Sequence, residues 1–491
     1  MQEMPKGALA LFIVLYVAAQ IAVGLWYARG AKSDTDYYLA GRRLGFLPLM
    51  LSIFATWFGA ETILGSSGAI AAGGLAGARA EPFGYALCLV GMAIFVAGSI
   101  RAKGYVTIAD FFRDRFGPHA EIVAAVVSVV ISVIWAGAQL LAVAAILETA
   151  LGIPGLITLF AAAGIVIFYC YFGGMMGDVV TDMIQGVFLM GGIVILFLAV
   201  IHQFGGLGVM LSSIEPEQLR LVAPGESWFG RLDAWAIPVI GSLVTQEVIT
   251  RFLAARTVGV ARTACYSAAG LYLLVGALPV LIGLAGVHLN APGAEGDNFI
   301  PALALSTLPP ILSIVFMGAL FSAILSTVDS NLLAVSSLVS INLLRRFHAR
   351  ADQKLQLRTA RLATIAAGLA ALGVAMTGSD IYGLIAMSSV VGQGGILVAT
   401  LIGLRTGFGR AGAALAAIFA CVGVNLATLL VMPLREALSD GMSFGPALGA
   451  VLAGDVEPIS GYFLFSVAAA LAAYGLVASF EKRAAAVAGE A

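Results

Sequence analysis

The chain has 491 residues, of which 60% are hydrophobic and 11% are charged, and its formal net charge is −1. Globular domains carry about 25% charged residues, so this composition excludes an ordinary globular protein. A net charge so close to zero also speaks against a nucleic-acid partner. The sequence therefore predicts an all-α integral membrane protein whose apolar residues face a lipid bilayer.

Thirteen apolar segments are long enough to cross a bilayer, since a hydrocarbon core about 30 Å thick needs about 20 residues of helix. They lie at 8–28, 46–74, 81–101, 120–151, 154–174, 180–203, 234–252, 263–288, 311–344, 358–377, 380–404, 410–432 and 460–480. Together they predict one polytopic transmembrane domain over residues 1–480 and a short tail at 481–491. The composition does not predict an oligomeric state.

The basic residues between these segments predict the orientation. Five of the 26 fall on the side of the N-terminus, and the other 21 lie in the loops of the opposite side or near the ends of the adjoining segments. The five are Lys6, Arg79, Arg220, Arg231 and Arg435. Because Lys and Arg are enriched in cytoplasmic loops, we expect the N-terminus outside and the C-terminus in the cytoplasm. The expected location is the plasma or inner membrane, and the tail at 481–491 is then cytoplasmic.

Two of the predicted spans contain residues that weaken a helix. FATWFGAETILGSSGAIAAGG at 54–74 includes Gly59, and AIPVIGSLVTQEVITRF at 236–252 includes Pro238. Interrupted helices in corresponding positions, here five spans apart, indicate a transporter built from inverted repeats. The alternative is that the glycines only allow helices to pack closely.

The sequence contains no GxxxxGK[ST] motif, metal-ligand cluster or nucleophile–base pair. ATP-driven pumping by this chain and an enzymatic activity are therefore not predicted. All four histidines fall at span ends or in loops, which favours sodium over protons as a coupling ion.

The segment AILSTVDS at 323–330 places hydroxyl and carboxyl groups inside a predicted span. Ala323, Ser326 and Thr327 share one helix face, which can offer neutral oxygens to a monovalent cation. Hydrogen bonding between helices is the alternative, and the spacing alone favours it. Asp329 lies about 200° around the helix from Thr327, so we expect a buried, partnered structural group rather than an ion ligand.

Four segments resemble motifs of the sodium:solute symporter family, in the family's order and spacing. They are SDTDYYLAGRRLG at 33–45, KGYVTIADFFRDRFG at 103–117, YFGGMMGDVVTDMIQG at 171–186 and FSAILSTVDSNLLAVSS at 321–337. The resemblance extends over nearly the whole chain. It implies a LeuT-like fold of two inverted five-helix repeats, at about 46–203 and 234–404.

Carried over by position, the resemblance also implies a sodium site and Na⁺ as the coupling ion. Its ligands would be the carbonyl groups of Ala55, Phe58 and Ala323 and the hydroxyl groups of Ser326 and Thr327.

Asp182, in VVTDMIQ, matches a family aspartate tied to sodium coupling, in some members through a second sodium site. It is predicted near the cytoplasmic end of its span, where a carboxylate can reach water. Ion entry or a second site on one hand, and a structural role on the other, are equal alternatives.

We expect a substrate site at mid-membrane, between the interrupted helices and the span at 120–151. Its candidate residues are Trp57, Phe58, Glu61, Tyr85, Trp135, Gln139, Gln246 and Glu247. Trp57 and Trp135 lie within spans rather than at the membrane interface, where Trp is usual, and aromatic faces attract organic cations. Glu61 and Glu247 could meet a cation by charge, or pair with Arg251 as structure.

ATWFGAETILG, RAKGYVT and YALCL most resemble the choline-transporter branch, whose aromatic residues enclose the cation. Thr245 and Ile385 stand where that branch has further aromatic side chains, which argues against choline itself. The sequence thus predicts a sodium-coupled symporter that imports a small cationic or zwitterionic organic solute. A solute sensor acting with a partner kinase and a proton-coupled transporter are the alternatives, and a channel is disfavoured by the interrupted helices.

Overall fold

The computed structural model describes residues 6–28, 34–172, 174–344, 353–377, 381–439, 442–443 and 462–487. Besides short 3-10 turns and one isolated parallel bridge between Leu44 and Ala255, the regular structure of these residues consists of twenty helices. They are α1 Lys6–Ala28, α2 Asp34–Leu39, α3 Phe46–Trp57, α4 Glu61–Ala76, α5 Glu81–Lys103, α6 Ile108–Phe116, α7 Pro118–Leu151, α8 Gly155–Phe172, α9 Met175–Gln203, α10 Leu207–Ser212, α11 Trp228–Ile240, α12 Gln246–Ala254, α13 Val258–Gly286, α14 Phe299–Thr307, α15 Pro310–Leu344, α16 Gln353–Ala375, α17 Ile381–Val390, α18 Gln393–Arg405, α19 Ala411–Ser439 and α20 Tyr462–Val487.

Seven of these helices are long and apolar enough to cross a membrane, namely α5, α7, α9, α13, α15, α19 and α20. The bent pair α3 and α4 makes an eighth if it is one span. The prediction of an all-helical membrane protein is confirmed. The count of thirteen spans stays a prediction, because other predicted spans fall on shorter or interrupted helices, such as α8 and the pair α17 and α18.

Both predicted interruptions are present in the structure. The axes of α3 and α4 differ by 56° across the break at residues 58–60, and α11 and α12 are separated by residues 241–245. At the second break, a Cβ on Gly241 would lie 2.9 Å from the carbonyl oxygen of Ser389 on α17. Glycine is therefore needed there for the close approach of two backbones.

Helix α15 lies at the centre of the bundle. Every residue from 316 to 338 is buried, and the helix packs against α3, α7, α9, α12 and α16. A helix that is apolar all round is expected to be enclosed by protein or lipid, and here protein encloses it. The hydroxyl and carboxyl groups of residues 326–330 are therefore held inside the protein rather than facing hydrocarbon.

Hydrogen bonds and ion pairs join the helices at both ends of the bundle. At one end, Leu44 N donates to Ala254 O (3.1 Å) and Arg256 N donates to Leu44 O (2.9 Å). At the other end, the Arg79 guanidinium makes two hydrogen bonds to the Glu226 carboxylate, of 2.6 and 2.8 Å. These contacts fix the two ends of α3 and α4 relative to the rest of the bundle.

The C-terminal helix crosses the predicted domain boundary at residue 480, since α20 continues to Val487. Residues 488–491 of the predicted tail lie outside the described residues, as do residues 444–461 between α19 and α20.

Candidate functional site

The break between α3 and α4 interrupts the backbone hydrogen bonding of the helix inside the protein. Phe58 N still donates to Phe54 O at 2.9 Å, as in a helix, but Gly59 N turns to Trp57 O at 2.8 Å. The carbonyl of Ala55 is therefore left without the donor that a continuous helix would supply. Such backbone is tolerated at membrane depth only where it is buried in protein or lines a cavity.

Gly59 allows α15 to approach this break closely. A Cβ at Gly59 would lie 2.6 Å from Thr327 Oγ1 and 3.5 Å from Gln139 Oε1. The Thr327 hydroxyl also lies 3.3 Å from Ala323 O, one turn earlier on α15. The hydroxyl of Thr327 thus stands directly against the interrupted backbone, as the sodium-site prediction requires.

The five predicted sodium ligands lie on two helices that face each other. Ala55 and Phe58 belong to the end of α3, and the other three lie on α15, which packs against it. All five are at most 3% exposed. They can offer three carbonyl and two hydroxyl oxygens, a neutral set that suits a monovalent cation.

The sequence predicted that the Asp182 carboxylate can reach water, but the structure places it in the interior. Its side chain is fully buried rather than able to reach solvent, and Ser52 Oγ donates to its Oδ2 at 2.6 Å. Arg251 Nη2 donates to the same oxygen at 3.0 Å, and Ser326 donates to Oδ1. Both carboxylate oxygens are therefore engaged, and the expectation of ready contact with water is wrong.

Arg251 joins two acidic residues of α9 inside the bundle. Its Nη2 lies 2.8 Å from Asp178 Oδ2 and 3.0 Å from Asp182 Oδ2, and all three side chains are at most 1% exposed. Arg251 also donates to Ser330 on α15 and to the backbone oxygen of Glu247. The side chain of Arg251 is thus paired with these aspartates, and not with the Glu247 carboxylate.

Asp329 is buried beside Cys170 and Asp178, and no hydrogen bond to the predicted sodium ligands is found among the described residues. Its Oδ2 has no hydrogen-bond partner among the described residues. Its location agrees with the expectation that it is not a direct ligand at the break, but its role stays a prediction.

Three aromatic side chains from different helices meet beside the break, and we call them the aromatic group: Trp57, Tyr85 and Trp135. The ring centroid of Trp57 lies 5.3 Å from that of Tyr85 and 6.4 Å from that of Trp135. Those of Tyr85 and Trp135 are also 6.4 Å apart. The structure thus brings together three of the predicted substrate residues.

Polar groups hold the aromatic group in place. Trp57 Nε1 donates to Glu247 Oε1 at 3.1 Å, and Tyr85 hydrogen-bonds to Glu61. Gln139 Oε1 accepts from Ala60 N at 3.4 Å, so its amide lies at the break as well. Each of these side chains is at most 3% exposed, so the aromatic group lies buried inside the bundle.

Gln246 is the predicted substrate residue that the structure places elsewhere. Its Oε1 accepts from Ile108 N, the first residue of α6, at 2.8 Å, and its Nε2 donates to Thr250 Oγ1 at 2.9 Å. The amide is used to hold α6 against α12. The structure does not bring Gln246 into the aromatic group.

Two residues near the break were not identified from the sequence, Glu81 and Tyr272. Tyr272 Oη donates to Glu81 Oε1 at 2.6 Å, and Thr62 Oγ1 donates to the same oxygen at 2.9 Å. Glu81 is 1% exposed, although it begins α5 and reads as a residue at a span end. The sequence did offer one signal for Glu81, because an acidic residue next to an apolar segment is a candidate functional residue.

The sequence matches the profile of the sodium:solute symporter family over residues 37–430. It is 30% identical over 396 residues to the high-affinity choline transporter 1 of Drosophila melanogaster, covering 77% of this chain and 63% of that protein. It is 29% identical over 387 residues to the sodium/glucose cotransporter of Vibrio parahaemolyticus, covering 69% of this chain and 68% of that protein. The chain therefore spans less than two thirds of the length of the choline transporter it matches.

The fold is similar to that of a Na⁺-coupled sialic acid symporter solved in a substrate-bound outward-open state. The TM-score is 0.78 at 18% sequence identity, over 96% of this chain and 97% of that one. This likeness shows the fold, which is that of the LeuT-like transporters. The profile match covers most of the chain, and the prediction of a multi-pass transporter rather than an enzyme is confirmed. The chain belongs to the sodium:solute symporter family.

Proposed function

We propose that this protein is a sodium-coupled symporter that carries one small organic solute inward by alternating access. The observation that carries this proposal is the break after Trp57, which meets Thr327 on one side and adjoins the aromatic group on the other. An ion at the break and a solute at the aromatic group would contact the same interrupted helix. The binding of each would then alter the affinity for the other, as coupling requires.

The proposed sodium ligands are backbone and hydroxyl oxygens at the break and on α15. They are the carbonyl oxygens of Ala55, Phe58 and Ala323 and the hydroxyl oxygens of Ser326 and Thr327. The free carbonyl of Ala55 and the space left by Gly59 support this assignment. The hydroxyl of Ser326 also supports it, since its hydrogen is directed to Asp182 and its lone pairs remain available.

The proposed architecture is thirteen spans with two inverted repeats, at about 46–203 and 234–404. It is supported by the two breaks, because each lies in the first helix of one proposed repeat. The distribution of basic residues supports an N-terminus outside the cell and a cytoplasmic C-terminus.

One sodium ion supplies enough free energy for concentrative uptake. A charge that crosses 100 mV gains about 2.3 kcal/mol. A tenfold sodium gradient adds about 1.4 kcal/mol, for a total of roughly 3.7 kcal/mol. That corresponds to accumulation of several hundredfold for a neutral or zwitterionic solute, and a cationic solute would gain further from the membrane potential.

We propose that the solute is cationic or zwitterionic and binds against the aromatic group. Glu61 and Glu247 contact this group through hydrogen bonds to Tyr85 and Trp57, and neither carboxylate has a salt bridge among the described residues. Buried carboxylates without a basic partner favour a ligand that brings positive charge. The similarity to a choline transporter agrees with this class of solute.

The experiment is a melting-temperature panel on detergent-purified protein in NaCl and in KCl at equal ionic strength. Betaines, choline, amines, amino acids, carboxylates and sugars are compared. A solute at 100 times its dissociation constant stabilises the folded state by about 2.7 kcal/mol, which is readily detected. We expect one class of solute to stabilise the protein in sodium and not in potassium.

Thr327→Ala and Thr364→Ala provide a matched pair for the same panel. Both hydroxyls are buried and lie within 3.3 Å of the carbonyl oxygen four residues earlier, but Thr364 is on α16, away from the break. We expect the sodium dependence to disappear in Thr327→Ala and to persist in Thr364→Ala. Solute binding that never depends on sodium would overturn the proposed coupling ion.

A proton-coupled transporter is the second candidate, because Glu61 and Glu81 are buried carboxyl groups near each other. Uptake into proteoliposomes driven by a pH gradient in the absence of sodium would favour it. Uptake driven by a sodium gradient at equal pH on both sides would favour the symporter proposed here.

A further inference from the structure

Two buried carboxyl groups, those of Glu61 and Glu81, interact electrostatically near the aromatic group. Glu61 is 2% exposed and hydrogen-bonds to Tyr85, while Glu81 is 1% exposed and accepts from Tyr272. The two carboxyl groups are close enough to interact electrostatically. They come from α4 and from the start of α5, so the fold and not the local sequence brings them together.

No salt bridge neutralises either group among the described residues, in contrast to the aspartates of α9. Asp178 and Asp182 share the guanidinium of Arg251, whereas the groups that contact Glu61 and Glu81 are hydroxyls. An unpaired carboxylate in a buried site is costly unless a positive charge or a proton accompanies it. The pair therefore needs either a proton or a positive charge that no described contact supplies, and a cationic ligand would provide that charge.

Glu81 and Trp135 each carry a buried polar atom without a partner among the described residues, and these atoms indicate where a ligand would bind. Glu81 Oε2 is buried and has no hydrogen-bond partner among the described residues, although Oε1 of the same carboxylate accepts two hydrogen bonds. Trp135 Nε1 is also buried and unpartnered, while its ring packs against Tyr85 and Trp57. Buried polar atoms are normally satisfied, so an acceptor and a donor are both left for a ligand.

We propose that the solute is a protonated primary or secondary amine, whose N–H groups donate to Glu61 and to the free oxygen of Glu81. This inference rests on the proposed function and narrows its solute class. A quaternary ammonium carries charge but no N–H group, so it would leave these acceptors unsatisfied. Charge-assisted hydrogen bonds are about twice as strong as neutral ones, so the site discriminates in favour of the amine.

The aromatic group indicates which other chemical groups the solute carries besides the amine. The faces of Trp57 and Tyr85 suit an apolar segment next to the ammonium group. The unpartnered Nε1 of Trp135 suits an oxygen acceptor on the same solute, such as a hydroxyl or carboxylate. An amino alcohol or amino acid of small size carries all three features.

The test compares solutes that differ only in N-methylation, on the full chain in NaCl. The probes are ethanolamine and its N-methyl, N,N-dimethyl and N,N,N-trimethyl forms, the last being choline, together with glycine and glycine betaine and with putrescine and its fully methylated form. Dissociation constants come from the dependence of the melting temperature on solute concentration. We expect at least one primary or secondary amine to bind, and its fully methylated form to bind at least tenfold more weakly.

Glu61→Gln and Glu81→Gln test the residues, because each keeps the side-chain size and removes the negative charge. We expect either change to weaken amine binding at least tenfold and to reduce the preference over the quaternary form. Two variants are used because one of them can fail to fold. Glu295→Gln, at an exposed position, is the control and is expected to bind like the unchanged protein.

The outcomes separate this inference from the proposed function. A quaternary form that binds as tightly as its amine, or no binding by any amine, overturns the inference. Sodium-dependent binding by sugars or simple carboxylates overturns it as well, while leaving sodium-coupled symport in place. If amines bind equally in sodium and potassium, the amine site stands and the coupling ion proposed above is wrong.

Discussion

Ser326 on α15 donates its hydroxyl hydrogen to Asp182 on α9. The contact joins a predicted sodium ligand to Asp182, for which the sequence left ion entry or a second sodium site and a structural role as equal alternatives. It fixes the direction of the hydroxyl, so that the lone pairs of Ser326 Oγ are free to face the break at residues 58–60. If sodium binds as proposed, Asp182 would act on the site through Ser326.

Asp182→Asn is expected to weaken sodium binding at least tenfold, because the neutral amide no longer orients the Ser326 hydroxyl as strongly. The variant also removes one of two acidic partners of Arg251, which should lower the free energy of unfolding by about 1–3 kcal/mol. Sodium-dependent melting shifts measure the first effect, and denaturant titration measures the second.

Asp178→Asn is the matched comparison, since Asp178 also pairs with Arg251 but does not contact Ser326. We expect a similar loss of stability with little change in sodium affinity. An equal loss of sodium affinity in the two variants would mean that the net charge of Asp178, Asp182 and Arg251 causes the effect. The orienting role of Asp182 would then be wrong.

Gly59→Ala is expected to abolish the sodium response. The added Cβ would lie 2.6 Å from Thr327 Oγ1, so the hydroxyl must rotate away or α15 must move. Gly191→Ala on α9 has no atom within 4 Å of the added Cβ and should be neutral or stabilising by up to about 1 kcal/mol. Sodium titration of the melting temperature compares the two, and a normal sodium response in Gly59→Ala would contradict the position assigned to the ion.

Trp57→Phe is expected to destabilise the protein by about 1–3 kcal/mol more than Trp135→Phe. Both changes remove an indole ring from the same group, but only Trp57 Nε1 has an acceptor, Glu247 Oε1 at 3.1 Å. Its loss leaves a buried carboxylate oxygen with one donor fewer. Denaturant unfolding in the absence of solute gives the difference, and equal stabilities would mean that the Trp57–Glu247 bond contributes nothing.

The ion pair between Arg79 and Glu226 should make stability depend on pH in the acid range. Hydrogen bonds from Arg79 lower the pKa of Glu226 below its ordinary value of 4.5. A carboxyl group with a lowered pKa stabilises the folded state above its unfolded pKa, and this contribution is lost as pH falls through the folded value. We therefore expect the melting temperature to fall below about pH 4.5, and to fall less steeply in Glu226→Gln.

Glu217→Gln is the control for this measurement. Glu217 pairs with Arg220, but both side chains are about two-thirds exposed, so the pair is screened by solvent and contributes little. Its removal should leave the pH dependence unchanged. A Glu226→Gln variant with an unaltered acid profile would show that other groups dominate this range.

Local spacing predicted that Ala323, Ser326 and Thr327 share one face of α15. Spacing alone favoured hydrogen bonding between helices, and the sodium assignment came from the resemblance to a family. Ala323, Ser326 and Thr327 follow the helical repeat, and Gly59 marks the break that Thr327 meets. The resemblance to a family supplied Ala55 and Phe58, which carry no polar side chain and so give no signal of their own. Helical periodicity and backbone-breaking residues are local properties, and a single sequence reports them well.

Contacts between distant segments could not be predicted in the same way. Arg251 reaches Asp178 and Asp182 across 73 and 69 residues of sequence, and Glu81 meets Tyr272 across 191. The direction of Gln246 depends on where α6 docks, and no pattern within α12 encodes that. Such pairings depend on helix rotation and crossing, which are set by packing of the whole bundle.

The backbone bridge at Leu44 limits how the bundle can open. Leu44 lies two residues before α3, and its two hydrogen bonds reach Ala254, the last residue of α12, and Arg256 just beyond it. The first half of one interrupted helix, α3, and the second half of the other, α12, are thereby held together at one end. An opening that keeps these bonds must swing both helices together, with residues 58–60 and 241–245 as the hinges.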